Sequence, residues 1–280
     1  MGGTALPVQF DEIGYWSELK LEIIKKYAAA YSKIMTAQGN LYHVYVDAFA
    51  GAGRHISRAT GESVPGSPLN ALVIRPPFRA YHLIDLNPQK IGLFRELVGD
   101  RQDVFIYEGD CNTILLRDVF PQIEYRDFRR ALVLLDPYGL DLRWEVLRIA
   151  GSLRTVDMFL NFPVMDMNRN VLWSRPEGVD PADVDRMNSF WGDESWREIA
   201  YERHPTLFGD EYHVKTGMDR VVKAFRLRLR ETAGFKHVAD PLPMRNSSRA
   251  IIYYLFFASQ NEAAAHIIKD IFDRYRNRGA

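Results

Sequence analysis

Five apolar, β-rich segments alternate with segments of helical length, and this alternation constrains the fold more than any other feature of the chain. The segments are LYHVYVDAF (41–49), AYHLIDL (80–86), VFIYEGD (104–110), ALVLLDPYG (131–139) and VDMFLNFP (156–163). Strands that are separated by helical crossovers pair in parallel. We therefore predict an α/β fold with five parallel strands and helices on both faces of the sheet.

Other segments complete this picture. FKHVADPLPM (235–244) and RAIIYYLFFAS (249–259) are joined by only RNSS, which is too short for a crossover and predicts an antiparallel hairpin. Apolar residues at helical spacing predict a helix over 15–35 that covers the sheet. The stretch 165–216, which contains three tryptophans and several turn signals, is predicted to be an inserted helical lobe. The sheet domain then comprises 1–164 and is completed by 217–280.

Composition restricts the partners and the compartment. The chain has 36 basic and 36 acidic residues, so a nucleic acid would have to meet a local basic patch. Its longest apolar run, AIIYYLFFA (250–258), is less than half of a membrane span. A single cysteine excludes an internal disulfide, and the histidines lack the spacing of metal ligands. We expect a cytoplasmic protein with no membrane partner and no metal.

Each predicted parallel strand ends in a polar side chain. These are Asp47, Asp85, Asp110, Asp136 and Asn161. Ligands of open parallel sheets bind beyond the carboxyl ends of the strands, so we expect the acids to converge on one edge. Taken singly, such an acid is equally typical of a helix cap.

The motif DAFAGAG (47–53) ends the first strand. Gly51 and Gly53 fit a sharp turn that lets a ligand approach the backbone. A nicotinamide fingerprint needs a small residue where Ile56 stands and an acid earlier than Asp85, so a nicotinamide-dependent oxidoreductase is disfavoured. An acid at Asp47 suits a ligand that carries an amine.

The ordered series of acids resembles the class I S-adenosylmethionine (SAM)-dependent methyltransferases, which have a Rossmann-like sheet. The resemblance implies SAM as cofactor. It assigns the methionine part to Asp47, Phe49, Gly51 and Gly53, the ribose to Asp85, and the adenine to Asp110 with Cys111. A small buried hydrophobe is the commoner role for a lone cysteine such as Cys111.

The sequence LLDPYG (134–139) is similar to the DPPY motif of methyltransferases that modify exocyclic amines in nucleic acids. That resemblance implies that Asp136 and the Pro137 carbonyl accept hydrogen bonds from the amine and that Tyr138 stacks on the base. These three would be the catalytic residues. The motif departs from the pattern because one proline is missing.

Over most of its length the chain resembles the three-Cys-motif partner proteins, which are bacterial and phage-associated and are encoded beside a radical-SAM-like protein. The matching pieces include YWSELKLEIIKKYAAAY, DAFAGAG, PGSPLNAL, IDLN and YYLFFAS. The resemblance implies that radical-SAM-like protein as a partner. It also implies that Lys20 pairs with the SAM carboxylate, although a solvated helix face would explain this lysine equally well.

A polymer substrate would need positive charge near the site. In the segment 219–232, four basic residues fall within one arc of a helix, which is typical of a phosphate-binding stripe and also of a solvated face. They are Arg220, Lys223, Arg226 and Arg230. Asn161 is a further candidate for contact with the substrate.

Two functions remain open. The first is a methyltransferase that acts on an exocyclic amine, such as N6 of adenine in DNA or RNA. The alternative is a SAM-binding accessory or pseudo-enzyme subunit of the radical-SAM-like partner.

Overall fold

The structure is a computed structural model that describes residues 10–205 and 211–276. Within these residues the α-helices are α1 (Tyr15–Ala37), α2 (Ser67–Leu72), α3 (Pro88–Val98), α4 (Cys111–Ile114), α5 (Trp144–Leu153), α6 (Val164–Asn170), α7 (Pro181–Trp191), α8 (Trp196–Ala200), α9 (Met218–Glu231) and α10 (Glu262–Tyr275). A π-helix covers Leu115–Val119, and 3₁₀ turns cover Phe120–Gln122, Tyr125–Asp127 and Pro176–Gly178. None of the helices in the described ranges combines the length and the apolar character that crossing a membrane requires.

The strands follow the same chain order. They are β1 (Glu12–Ile13), β2 (Tyr42–Asp47), β3 (Arg54–Ser57), β4 (Ser63–Pro65), β5 (Ala80–Asp85), β6 (Val104–Glu108), β7 (Arg129–Leu135), β8 (Val156–Phe162), β9 (Tyr201–Pro205), β10 (Glu211–Lys215), β11 (His237–Val238), β12 (Leu242–Arg245) and β13 (Ile251–Ser259).

The central sheet has the order β11-β13-β8-β7-β2-β5-β6, and β12 also pairs with β13. The strands from β8 to β6 are parallel to one another, whereas β13 is antiparallel to β8 and to β12. The five predicted parallel strands and the predicted hairpin are therefore confirmed. The first strand of this sheet, β2, lies in its middle. Strands β5 and β6 extend the sheet to one edge, and the chain then returns to build the other half from β7 onward.

Helices cover both faces of this sheet. In β2 the side chains alternate, so that Val44 and Val46 join the core on one face and Tyr45 joins the core on the other. The first core includes residues of α5, α7 and α9, and the second includes residues of α1, α2, α3 and α10. Helix α1 buries Leu19, Ile23, Ile24, Tyr27 and Tyr31, which is the face predicted from the sequence.

A small second sheet was not predicted. Strand β3 pairs in parallel with β1 and antiparallel with β4. These strands have two to four residues and no apolar run, so the sequence carries no periodic signal for them. Their pairing brings the segment before α1 next to the glycine turn.

The stretch 165–216, which we predicted to be an inserted helical lobe, contains strands as well as helices. It contains helices α7 and α8, but it also contains the antiparallel hairpin β9–β10, whose strands YERHP and EYHVK are mostly polar and lack a strand-like apolar run. Trp191 and Trp196 are each 1% exposed and share one core with the sheet residue Phe162. Trp173 is 44% exposed. Two of the three tryptophans therefore serve the core.

Candidate functional site

Most of the polar strand-end residues lie on adjacent strands at one edge of the sheet. Asp47 ends β2, Asp85 ends β5, Asp136 follows β7, and Asn161 is the penultimate residue of β8. These four strands are consecutive neighbours in the sheet. Their side chains therefore lie together at the carboxyl ends of the parallel strands, which is where ligands of such sheets bind. Asp110 lies two residues beyond β6, the outermost strand on that side.

The glycine turn after β2 has two parts with different roles. Gly51 and Gly53 have positive φ angles of 62° and 79°. A Cβ atom at residue 53 would approach the Phe94 ring to 2.7 Å, so packing alone requires glycine there. A Cβ atom at residue 51 would have no neighbour within 4 Å. Gly53 therefore serves the fold, whereas Gly51 leaves open space at the sheet edge.

Asp85 braces this turn. One carboxylate oxygen accepts a hydrogen bond from the Gly51 N–H at 2.8 Å, and the other accepts one from the Asn87 N–H at 2.8 Å. Asn87 then caps α3 by accepting hydrogen bonds from the N–H groups of Gln89 and Lys90. An ionised carboxylate has about four acceptor positions, so Asp85 keeps capacity for a ligand hydroxyl.

Asp47 is fully buried at the end of β2. It accepts hydrogen bonds from the Phe49 N–H at 3.2 Å and from the Tyr45 hydroxyl at 3.3 Å. Burial raises the pKa of Asp47 to about 6, while hydrogen bonds from Ser67 and Phe49 oppose that rise. The contacts of Asp47 therefore support the turn from within the protein.

Replacing Asp47 by asparagine should stabilise the protein relative to the wild type as the pH rises from about 4 to 7. The pKa of the folded carboxyl is raised from 3.8 to about 6, so the folded state holds the proton more tightly and loses stability through this range. The relative gain should be at most about 3 kcal/mol, less any contribution of the lost hydrogen bonds. Urea unfolding at several pH values measures it. A difference that does not depend on pH would contradict the raised pKa.

Asp110 and Cys111 are engaged in the fold. Asp110 caps α4 by accepting hydrogen bonds from the N–H groups of Asn112 and Thr113, and it forms an ion pair with Arg143 at 3.0 Å. Burial would raise the pKa of Asp110, but hydrogen bonds from Thr113 and Asn112 lower it. The Cys111 thiol is buried, and burial raises its pKa to about 12, as expected for a small core residue. Their contact with adenine stays a prediction.

Asp136 is the centre of a polar network. Its Oδ2 forms an ion pair with Lys20 of α1, and its Oδ1 accepts a hydrogen bond from Asn161 Nδ2 at 2.8 Å. The Lys20 side chain is only 8% exposed, which excludes a solvated helix face. Its ammonium group also lies 5.4 Å from the centre of the Tyr253 ring. The pairing of Lys20 with a cofactor carboxylate stays a prediction, since Asp136 is its partner here.

Two buried polar atoms beside this network have no hydrogen-bond partner among the described residues. They are Oδ1 of Asn161 and Nδ1 of His55. Burial lowers the pKa of His55, which favours the neutral ring. A buried unpaired polar atom costs about 1–3 kcal/mol, so a ligand that pairs with either atom would remove that cost.

A cavity of about 270 Å³ adjoins Asp136. The predicted site residues that border it are Lys20, Phe49, Gly51, Asp136, Pro137, Tyr138 and Asn161. Asp47, Gly53, Asp85, Asp110 and Cys111 are not among the described residues on its border. The cavity thus unites the proposed catalytic residues with part of the glycine turn.

Sequence reasoning missed several residues on the border of this cavity. Ser67 and Tyr253 lie in the motifs PGSPLNAL and YYLFFAS, so their neighbourhood carried a signal although the individual residues did not stand out. Asp11 lies just before β1 and carried no signal. Within the described part of the chain, no group of three or more His, Cys, Asp or Glu side chains is arranged to hold a metal ion.

The basic residues of α9 do not form one free stripe. Arg220 forms an ion pair with Glu202. Arg226 forms an ion pair with Asp240 and donates two hydrogen bonds to the carbonyl of Val238 at 3.0 and 2.8 Å. Lys223 and Arg230 are exposed. Their exposure is also what a solvated helix face would show. Two of the four guanidinium or ammonium groups are therefore committed to intramolecular contacts.

Arg226 and Arg230 also lie beside a cavity that Asp136 does not border. Both border a cavity of about 390 Å³ next to β11. Val238 of β11 pairs with Ala258, which pairs with Met158 near the start of β8. Met158 pairs with Val133 of β7, and Asp136 comes three residues after Val133, beyond the carboxyl end of β7. Contact of this region with a substrate bound at Asp136 stays a prediction.

Comparisons with known proteins identify the fold. The sequence matches no protein-family model and no curated protein. Protein LPL1258 from Legionella pneumophila, described with the family model DUF519, aligns over 95% of this chain and 94% of its own, with a TM-score of 0.53 and 12% identity. At this identity the likeness shows a shared fold alone.

Known methyltransferases are among the weaker structural neighbours. The methyltransferase domain of bacterial CtHen1 aligns over 87% of this chain and 100% of its own, with a TM-score of 0.42 and 10% identity. An S-adenosylmethionine-dependent methyltransferase from Clostridium acetobutylicum aligns over 84% and 91%, with a TM-score of 0.40 and 9% identity. The observed strand order and helical layers are those of the predicted Rossmann-like fold.

Proposed function

We propose that this protein is a SAM-dependent methyltransferase that acts on an exocyclic amine, with adenine in DNA or RNA as the substrate. One observation carries the proposal. Asp136, Pro137 and Tyr138 follow the fourth parallel strand and border the same cavity as Phe49 and Gly51 of the glycine turn. A cofactor and an acceptor amine would therefore meet in one place.

The residues around the turn fit SAM. The open position beside Gly51 would admit a ligand against the backbone, and a side chain there would fill that space. Asp85 retains acceptor capacity for ribose hydroxyls. The Lys20 ammonium has three donors, so it would pair with the SAM carboxylate while it keeps its contact with Asp136. When bound, SAM supplies an electrophilic methyl group.

The chain's own residues then act on the amine. The lone pair of an adenine amine is delocalised into the ring, so acceptors for its N–H groups favour the charge that develops during the reaction. The Asp136 carboxylate is fixed by Lys20 and Asn161, and it therefore needs little reorganisation. Asn161 Oδ1 has no partner among the described residues and is available as a second acceptor.

Tyr138 supports a flat substrate. Tyr138 is 77% exposed although it borders the cavity. Stacking of a nucleobase on an exposed aromatic ring contributes about 1–3 kcal/mol. An extracted adenine would be recognised by this ring and by the acceptors together.

A second candidate is an accessory subunit that binds SAM beside a radical-SAM-like three-Cys-motif partner. The observation that favours it is that both oxygens of Asp136 already have partners, Lys20 and Asn161. A carboxylate whose two oxygens already have partners is a weaker acceptor for the N–H groups of a substrate amine. Transfer of tritiated methyl from SAM to nucleic acid, followed by mass spectrometry of the nucleosides, separates the two functions. An accessory subunit would transfer none, even with the partner present.

Cofactor binding gives a separate prediction. Calorimetry should show binding of S-adenosylhomocysteine and no binding of NAD. Asp85→Ala should weaken the first by about 1.5–3 kcal/mol, the scale of hydrogen bonds to a charged group. Asp103→Ala is the control, because this half-buried acid precedes β6, at the opposite end of that strand from Asp110, and pairs with Arg101. Unchanged affinity in Asp85→Ala would remove Asp85 from the site.

A further inference from the structure

Two charged residues from outside the Asp-Pro-Tyr motif contact Tyr138. The Tyr138 hydroxyl donates to Oδ2 of Asp11 at 3.3 Å. The Lys90 ammonium lies 2.5 Å from the same oxygen and 3.4 Å from the Tyr138 hydroxyl. It also lies 5.6 Å from the centre of the Tyr138 ring. Acid, lysine and tyrosine thus form a closed triangle.

Backbone hydrogen bonds hold the segments that carry Asp11 and Lys90 in place. The Asp11 carbonyl accepts a hydrogen bond from the Ile56 N–H at 3.0 Å, and the Ile13 carbonyl accepts one from the Arg58 N–H at 2.9 Å. These bonds join the segment before α1 to β3, which begins directly after the glycine turn. Lys90 lies in the capped first turn of α3. The triangle therefore connects Tyr138 to elements on both sides of that turn.

The arrangement leaves the faces of the ring available. The Lys90 ammonium lies beyond the hydroxyl end of the ring, since it is 3.4 Å from the hydroxyl oxygen and 5.6 Å from the ring centre, and the residue as a whole is 77% exposed. A tyrosine with this exposure and no tether would exchange between rotamers in solution. The hydroxyl contacts with Asp11 and Lys90 restrict that exchange and leave the faces of the ring open.

We propose that Asp11 and Lys90 are positioning residues that hold Tyr138 as a stacking surface for a flat heteroaromatic base. The proposal rests on the proposed function, because it assumes that a base binds beside Asp136. Neither residue acts on the reacting amine. They reduce the cost of ordering the ring when the base binds, because the ring is already held before the base arrives.

The first arm of the test observes the ring directly and needs no methyl transfer. The protein is labelled with 3-fluorotyrosine, and the Tyr138 signal is identified by its loss in Tyr138→Phe. Asp11→Asn should shift and sharpen the Tyr138 signal, because the ring gains freedom. Asp103→Asn, in an exposed ion pair elsewhere, should leave it unchanged. An unchanged Tyr138 signal in Asp11→Asn would overturn the proposal.

The second arm measures methyl transfer to a single-stranded oligonucleotide with one adenine. Asp11→Asn should raise KM by about 3- to 10-fold with kcat within about twofold, because ring ordering is lost but Asp136 is intact. Lys90→Arg keeps the charge and should stay closer to the wild type than Lys90→Ala. A fall in kcat with unchanged KM, or a parallel loss of S-adenosylhomocysteine affinity, would overturn a positioning role. If the wild type transfers no methyl, the proposed function fails, and the fluorine signal alone decides whether the triangle exists.

Discussion

Asp136→Asn is expected to lower methyl transfer by 100-fold or more. Asparagine keeps the shape of the side chain but removes the carboxylate that would face the developing positive charge on the amine. Loss of one preorganised group that stabilises a transition state typically costs that much. Transfer of tritiated methyl from SAM to adenine-containing nucleic acid measures the effect.

Two controls accompany this variant. Asp141→Asn changes another acid of the loop after β7, and it should retain activity within about twofold because that acid is exposed. The affinity of Asp136→Asn for S-adenosylhomocysteine should not fall, since methionine, ribose and adenine are assigned to other residues and the variant releases Lys20 for the cofactor carboxylate. Abolished cofactor binding would show that the acids have been assigned to the wrong parts of the ligand.

Lys20→Met is expected to lower the free energy of unfolding by about 2–4 kcal/mol. Removing one partner of a buried ion pair leaves the other charge without compensation. The loss of stability should be smaller than the largest losses known for broken buried ion pairs, because the Asp136 side chain is still 27% exposed. Urea denaturation measures the change. Lys25→Met, on the exposed side of the same helix, should change stability by less than about 0.5 kcal/mol.

The double variant Lys20→Met, Asp136→Asn sharpens this prediction. With both charges removed, no unpaired ion remains, so the loss should be smaller than the sum of the two single losses. Additive losses would show that the two side chains do not interact in solution.

The sheet was predictable because its signals are local. Each parallel strand is a continuous apolar run, and the short RNSS link permits only an antiparallel partner. The same local signals explain why the acids at the strand ends were found. They could not show that Asp110 is used as a helix cap, since a cap and a ligand contact require the same residue type at the same position.

The contacts within the site were less predictable because they join distant parts of the chain. Lys20 and Asp136 are 116 residues apart, and Asp11 and Tyr138 are 127 residues apart. Strands β1 and β3 have too few residues for a periodic pattern. The choice between a solvated Lys20 and a buried one depended on where α1 meets the end of β7, which no local pattern specifies.

The cavity has consequences for how the protein is made. Its border runs from Asp11 to Tyr253, so it cannot close on a ribosome until β13 has emerged. Until then β8 presents an open edge, because β13 is its neighbour on that side. A nascent chain therefore lacks a finished site and exposes a strand that other chains could pair with. Emergence of β13 closes the site and protects that strand in the same step.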